Sequence, residues 1–143
     1  MLKKILWVVL PCMLFAAGVS HAGDLSGDDA MRLEKAGLAV YPGAVLFGRG
    51  ESMTTHTITF SFATSDSVPK VLDWYKAKLK GWNVTKMMDA PIIYHGKPGL
   101  EWMDAMVNDN VVIDEDRNMH KWYDELKSDM TTIIKITLMG NVK

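Results

Sequence analysis

Between residues 55 and 63 the chain alternates strictly, with Ile58, Phe60 and Phe62 separated by Thr57, Thr59 and Ser61. A period of two puts alternate side chains on opposite faces of a sheet, so this segment reads as a strand with one buried and one polar face. The pattern returns at residues 131–139, where Ile134, Ile136 and Leu138 oppose Lys135 and Thr137. Between the two the period changes to 3.6. Val68, Val71, Leu72, Tyr75 and Leu79 fall on one helical face, with Leu72 near its centre. Ser65 or Asp66 supplies the N-cap, Pro69 fits the first turn and Gly81 suits the residue just past the end. Trp74 sits roughly 120° from the centre of that face at 100° per residue, at its border or in solvent.

The remaining elements follow from shorter runs and turn residues. Residues 23–29 form a flexible approach ending in N-cap chemistry, and 30–36 a short helix stopped by Gly37. After the Tyr41-Pro42-Gly43 turn, residues 44–47 form a strand that joins the 55–63 strand around Gly48-Arg49-Gly50. Strands are predicted at 82–86, 91–95 and 111–114, with helical stretches at 98–107 and 119–126. The fold class predicted is α+β, a mostly antiparallel sheet with helices packed on one face.

The first 22 residues differ from the rest. Lys3 and Lys4 precede an apolar run from Ile5 to Val19, and Ser20-His21-Ala22 carries small residues where a signal peptidase reads them. Cleavage after Ala22 is expected, leaving residues 23–143 as one secreted, periplasmic domain. A membrane-spanning helix needs about 20 apolar residues. This run is shorter and is broken by Pro11 and Gly18, so no lasting anchor is expected. Lipidation at Cys12, the only cysteine, is disfavoured by Val9-Leu10-Pro11 in front of it. Without the leader, 14 basic residues face 17 acidic ones, a net charge of −3. With the charges interspersed and no basic run, nucleic acid is excluded as a partner. The absence of cysteine from that mature chain removes disulfides, thiol catalysis and Cys-ligated zinc from its chemistry.

Three strings stand out together: Tyr41-Pro42-Gly43-Ala44, then Phe62-x-Thr64-x-Asp66-Ser67, then Val71-x-x-Trp74-Tyr75-x-x-x-Leu79-x-Gly81-Trp82. Their combination, over about residues 38 to 86, resembles a module of small, uncharacterised bacterial periplasmic proteins and lipoproteins. The resemblance implies a compartment and a fold. It carries no activity and no catalytic residue.

Candidate chemistry is sparse. Asp114-x-Asp116-x-Asn118, followed by Glu125, places oxygen donors at positions 1, 3, 5 and 12 of a calcium loop of the EF-hand type, but Met119 stands where the loop needs glycine. Copper is a second option, because nine methionines and His56, His95 and His120 lie beyond residue 22, with Met53-x-x-His56, Met103-x-x-Met106 and Met119-His120 as close pairs. Dispersed methionines also fill core gaps, and no pair has a third ligand nearby in sequence. No Gly-x-Ser-x-Gly, His-Glu-x-x-His or phosphate-binding glycine loop is present. An enzyme would need a site assembled from distant residues, and the balance leans away from one. No cofactor is expected. The favoured function is a binding or accessory module whose partner is a periplasmic protein or a small ligand. Its candidate surface residues are Thr57, Thr59 and Ser61, flanked by Lys135 and Thr137, and Trp74, with Tyr123 as a companion.

Overall fold

A computed structural model describes residues 25–140. The expected leader, its cleavage point and Cys12 lie outside the described residues. The architecture is α+β: helix α1 (Gly27–Lys35), strands β1 (Val45–Ser52) and β2 (Thr57–Thr64), helix α2 (Val68–Lys78), strands β3 (Asn83–Met87) and β4 (Ala90–Tyr94), helix α3 (Trp102–Ala105), and strands β5 (Asn110–Glu115) and β6 (Thr132–Leu138). The strands form one antiparallel sheet in the order β1-β2-β6-β5-β4-β3. No helix among the described residues is long and apolar enough to cross a membrane.

The two long alternating segments, far apart in sequence, are neighbours in space. Phe60 pairs with Ile136 and Phe62 with Ile134, and the row continues through Val111 and Ile93. These side chains form a continuous first face, closed by Val71 and Tyr75 of α2 and Leu33 of α1, all buried. Helix α1 ends in two bonds that answer its last carbonyls: Leu38 N–H donates to Leu33 at 2.9 Å and Gly37 N–H to Glu34 at 2.9 Å, with Gly37 at φ 75°. This is a Schellman closure, and Leu38 and Leu33 share the core.

Helix α2 runs where its apolar period predicts, with two local differences. Its N-cap is Ser67, not Ser65 or Asp66, and Asp66 turns instead to other partners. The buried centre of its face is Val71 and Tyr75, while Leu72 is only half-buried. Trp74 lies at the border, packed edge-on against Tyr41 at 5.3 Å and Tyr75 at 4.9 Å, with Lys78 over its ring at 5.6 Å.

Gly48-Arg49-Gly50 is not a hairpin loop. Strand β1 continues through it to Ser52, and the connection is Met53–His56. Arg49 explains the continuation: its guanidinium lies 5.9 Å from the Phe60 ring and donates to both oxygens of Asp29, at 2.8 and 3.1 Å, tying β1 to α1. Gly48 is needed because a Cβ there would sit 3.3 Å from the Ser61 side chain, beside a bulge in the β1–β2 pairing.

The other two predicted helices are much shorter. At residues 98–107 only Trp102–Ala105 is helical, because Pro98 and Gly99, at φ 78°, delay the start and the Asn108 amide bonds back to Asp104 at the end. At residues 119–126 one 3-10 turn, Met119–Lys121, is followed by separate turns. Both segments pack on the second face. Ala105, Leu100 and Met106 cover Ile92, Tyr94 and Val112, and Met119, Leu126 and Met130 cover Ala63 and Ile133. Strand β4 is therefore buried on both sides, in keeping with its unbroken apolar run.

Candidate functional site

Between these two small clusters the second face stays polar. Its rows are fixed by register: Gly48, Ser61 and Lys135 lie side by side, as do Gly50, Thr59 and Thr137. The Thr59 and Thr137 hydroxyls are 3.3 Å apart. Thr57, Thr59, Ser61 and Thr137 are half-buried and Lys135 is exposed. The surface residues chosen from sequence thus form a shallow strip across β1, β2 and β6, floored by hydroxyls and by two glycines.

The banks of the strip carry exposed apolar side chains. On one side α3 presents Trp102 and Met103, with Val107 just beyond it. On the other, Tyr123 stacks against Phe47 at 4.8 Å and Trp122 is 79% exposed. On a continuous helix Met119, Trp122, Tyr123 and Leu126 would share one face at i, i+3, i+4 and i+7. Because the chain makes a single 3-10 turn there, Met119 and Leu126 go inward and Trp122 goes to solvent. Sequence reasoning missed Trp122 for that reason, and selected Trp74, which stands on the opposite side of the sheet against the first-face core. The banks are acidic. Residues 101–107 and 114–130 carry eight carboxylates against Arg117, Lys121 and Lys127.

The calcium-like residues do not come together. Asp114 accepts from the Glu115 N–H at 2.8 Å, and Asp116 from the Asn118 N–H at 2.8 Å, so both serve the local turn. Glu125 is exposed. Among the described residues no three His, Cys, Asp or Glu side chains form a group able to hold a metal ion. His120 is half-buried beside Met119, its Nδ1 buried without a hydrogen-bond partner among those residues. His56 is remote from it, in the β1–β2 connection, where it adopts a left-handed φ of 52°. There it lines a cleft together with Met53, His95 and Met139.

The strings that carried the resemblance form a latch instead of a site. The Tyr41 hydroxyl donates to Asp66 at 2.6 Å, Lys70 donates to the other Asp66 oxygen at 2.9 Å, and the Tyr75 hydroxyl donates to the Ala39 carbonyl at 2.9 Å. Burial, reinforced by the Asp66 bond, pushes Tyr41 up to about 12. The bonds from Tyr41 and Lys70 hold the Asp66 carboxyl below its ordinary value. A phenol that stays protonated and a carboxylate that stays charged make a permanent tie between the Tyr-Pro-Gly turn and the start of α2.

Compared with known proteins, the chain matches no family model, no curated protein and no solved structure.

Proposed function

We propose that this is a non-enzymatic periplasmic binding module that engages a basic polypeptide segment along the second face. One observation carries the reading: a half-buried hydroxyl strip runs between two banks, each with solvent-exposed aromatic side chains. Elsewhere the second face is closed by its own small clusters, so this gap is where the fold leaves sheet surface available. Aromatic residues beside a polar floor are the usual anchors of protein contacts. The excess of carboxylates on the banks favours a Lys- or Arg-containing partner, through attraction that salt weakens.

Photo-crosslinking residues placed singly at Thr59, Ser61 and Trp122 in cells test this against controls at Lys76, exposed on α2, and Lys80, exposed just beyond its end. A discrete polypeptide adduct from the first set alone, with a yield that falls as ionic strength rises in extracts, is the expected result. No adduct, or the same adducts from both sets, overturns the proposal.

A further inference from the structure

The sheet has two free edges, β1 and β3, and they are guarded differently. Strand β3 is five residues long and carries Lys86, exposed and in no ion pair among the described residues. A lysine on an edge strand discourages pairing with another chain. Strand β1 has neither lysine nor proline, and its two charges are bonded within the chain: Arg49 donates to Asp29 at 2.8 Å and to Glu51 at 3.2 Å. Arg49, Gly50 and Glu51 are exposed in succession, on both faces, so nothing among the described residues closes over this stretch. Strand β1 pairs with β2, and no other backbone hydrogen bond among the described residues reaches Val45–Ser52.

We infer that the polypeptide partner is received as an added strand along the Gly48–Ser52 edge of β1, with one of its aromatic side chains laid over Gly50, an inference that rests on the hydroxyl strip being the binding face. A glycine inside a strand weakens it, because it brings no side chain to pack, and it marks places where another backbone comes close. Gly48 has an internal reason, the Ser61 side chain 3.3 Å from where its Cβ would be. Gly50 has none: a Cβ there would meet nothing within 4 Å, and its φ is not in the left-handed range. The free space lies over the second face, at the head of the Gly50–Thr59–Thr137 row. Edge glycines are stabilised by an aromatic ring laid across them. The neighbour of Gly50 on β2 is Thr59, too small for that, so the ring is supplied by a strand on the other side.

Length decides between lying along β1 and crossing the strip. Across β1, β2 and β6 the hydroxyl floor spans two strand spacings, about 10 Å. It stops where Leu100, Ala105 and Met106 cover Val112 of β5. Along β1, from Phe47 to Ser52, an extended chain has about 17 Å at about 3.4 Å per residue. There it gains main-chain hydrogen bonds at alternate residues. One end of that path lies beside Phe47, whose ring stacks on Tyr123 at 4.8 Å, so a single strand touches both the glycine and the aromatic bank.

Site-resolved hydrogen exchange on the covalent complex captured through a photo-crosslinking residue at Ser61 tests this. Every second amide from Gly48 to Ser52 is expected to exchange at least about tenfold more slowly than in the free protein, because outward N–H groups gain an acceptor while those facing β2 already have one. The amides of β3 should keep their rates. In a second arm Gly50→Val, whose side chain enters open space in the free protein, should keep the urea midpoint at or above the parent's and lower the Ser61 adduct at least about tenfold. Gly50→Ala takes its place should valine disturb the fold. If the complex forms with the β1 amides unchanged, or the adduct persists in the folded Gly50 variant, strand addition is wrong and the strip remains the binding face. No adduct from Ser61, or an adduct of two copies of this chain, overturns both.

Discussion

The two faces of one sheet solve opposite problems. The first face is a continuous apolar layer in which rows such as Phe60–Ile136–Val111–Ile93 run without a polar interruption under two helices. The second face has two small clusters separated by Ser61, Lys135, Thr59 and Thr137. Burying apolar area is worth about 25 cal/mol per Å², so the first face holds most of the folding energy. The second contributes less and keeps a surface free. The same strands serve both ends because each side chain faces opposite to its neighbours in sequence.

That division predicts an unequal cost of mutation. Phe62 is fully buried in the first-face core, and Phe62→Ala should destabilise by about 3–5 kcal/mol. Leu126 belongs to a small cluster under a loop, which can close over a lost side chain. Leu126→Ala should cost about 2 kcal/mol, at the low end for such changes. Urea melts of both variants decide it, and equal losses would break the contrast between the faces.

The Asp29–Arg49 pair sharpens it further, because it fastens α1 to the first-face edge. Asp29 is only 5% exposed, and its bonds from Arg49 hold the carboxyl below the ordinary 3.8. A depressed folded value means that the contribution is complete above the unfolded value and lost as pH falls through the folded one. Asp29→Asn should therefore cost about 1.5 kcal/mol at neutral pH. The gap from the parent protein should persist down to about pH 4 and shrink below it. Melts across pH 2–7 check this, and a gap that widens in acid would refute the assignment.

Much of the first face was legible in the sequence because periods of two and 3.6 report burial on one side. Strand β2, strand β6 and helix α2 emerged from that signal, and the expectation that Lys135 and Thr137 flank the Thr/Ser face is met by the pairs Ser61–Lys135 and Thr59–Thr137. The helix centre was off because pattern weighs Leu72 equally with Val71, whereas packing against β4 and β5 favours Val71 and Tyr75. The second face was harder to see. Its covers are four residues of α3 and a series of single turns, too short to have a period. The runs Ile92-Ile93-Tyr94 and Val111-Val112-Ile113 were read only as strands, in a sheet whose helices were expected on one face. The cleft was out of reach, since His56, His95 and Met139 approach only through the order of the strands.

The smallest expected change in stability carries the sharpest test of the second face, and it rests on a contrast between two tryptophans. Trp74 touches Tyr41 and Tyr75 edge-on from the border of the first-face core, so Trp74→Ala should cost about 1 kcal/mol through those aromatic contacts. Trp122, at 79% exposure, has little left to lose, and Trp122→Ala should stay within about 0.5 kcal/mol of the parent. Binding should show the reverse order. With a crosslinking residue kept at Ser61, Trp122→Ala should abolish the polypeptide adduct and Trp74→Ala should leave it intact, because the two rings stand on opposite sides of the sheet. If Trp74→Ala removed the adduct at full stability while Trp122→Ala kept it, the partner would dock on the α2 side, and the hydroxyl strip would be ordinary solvated surface.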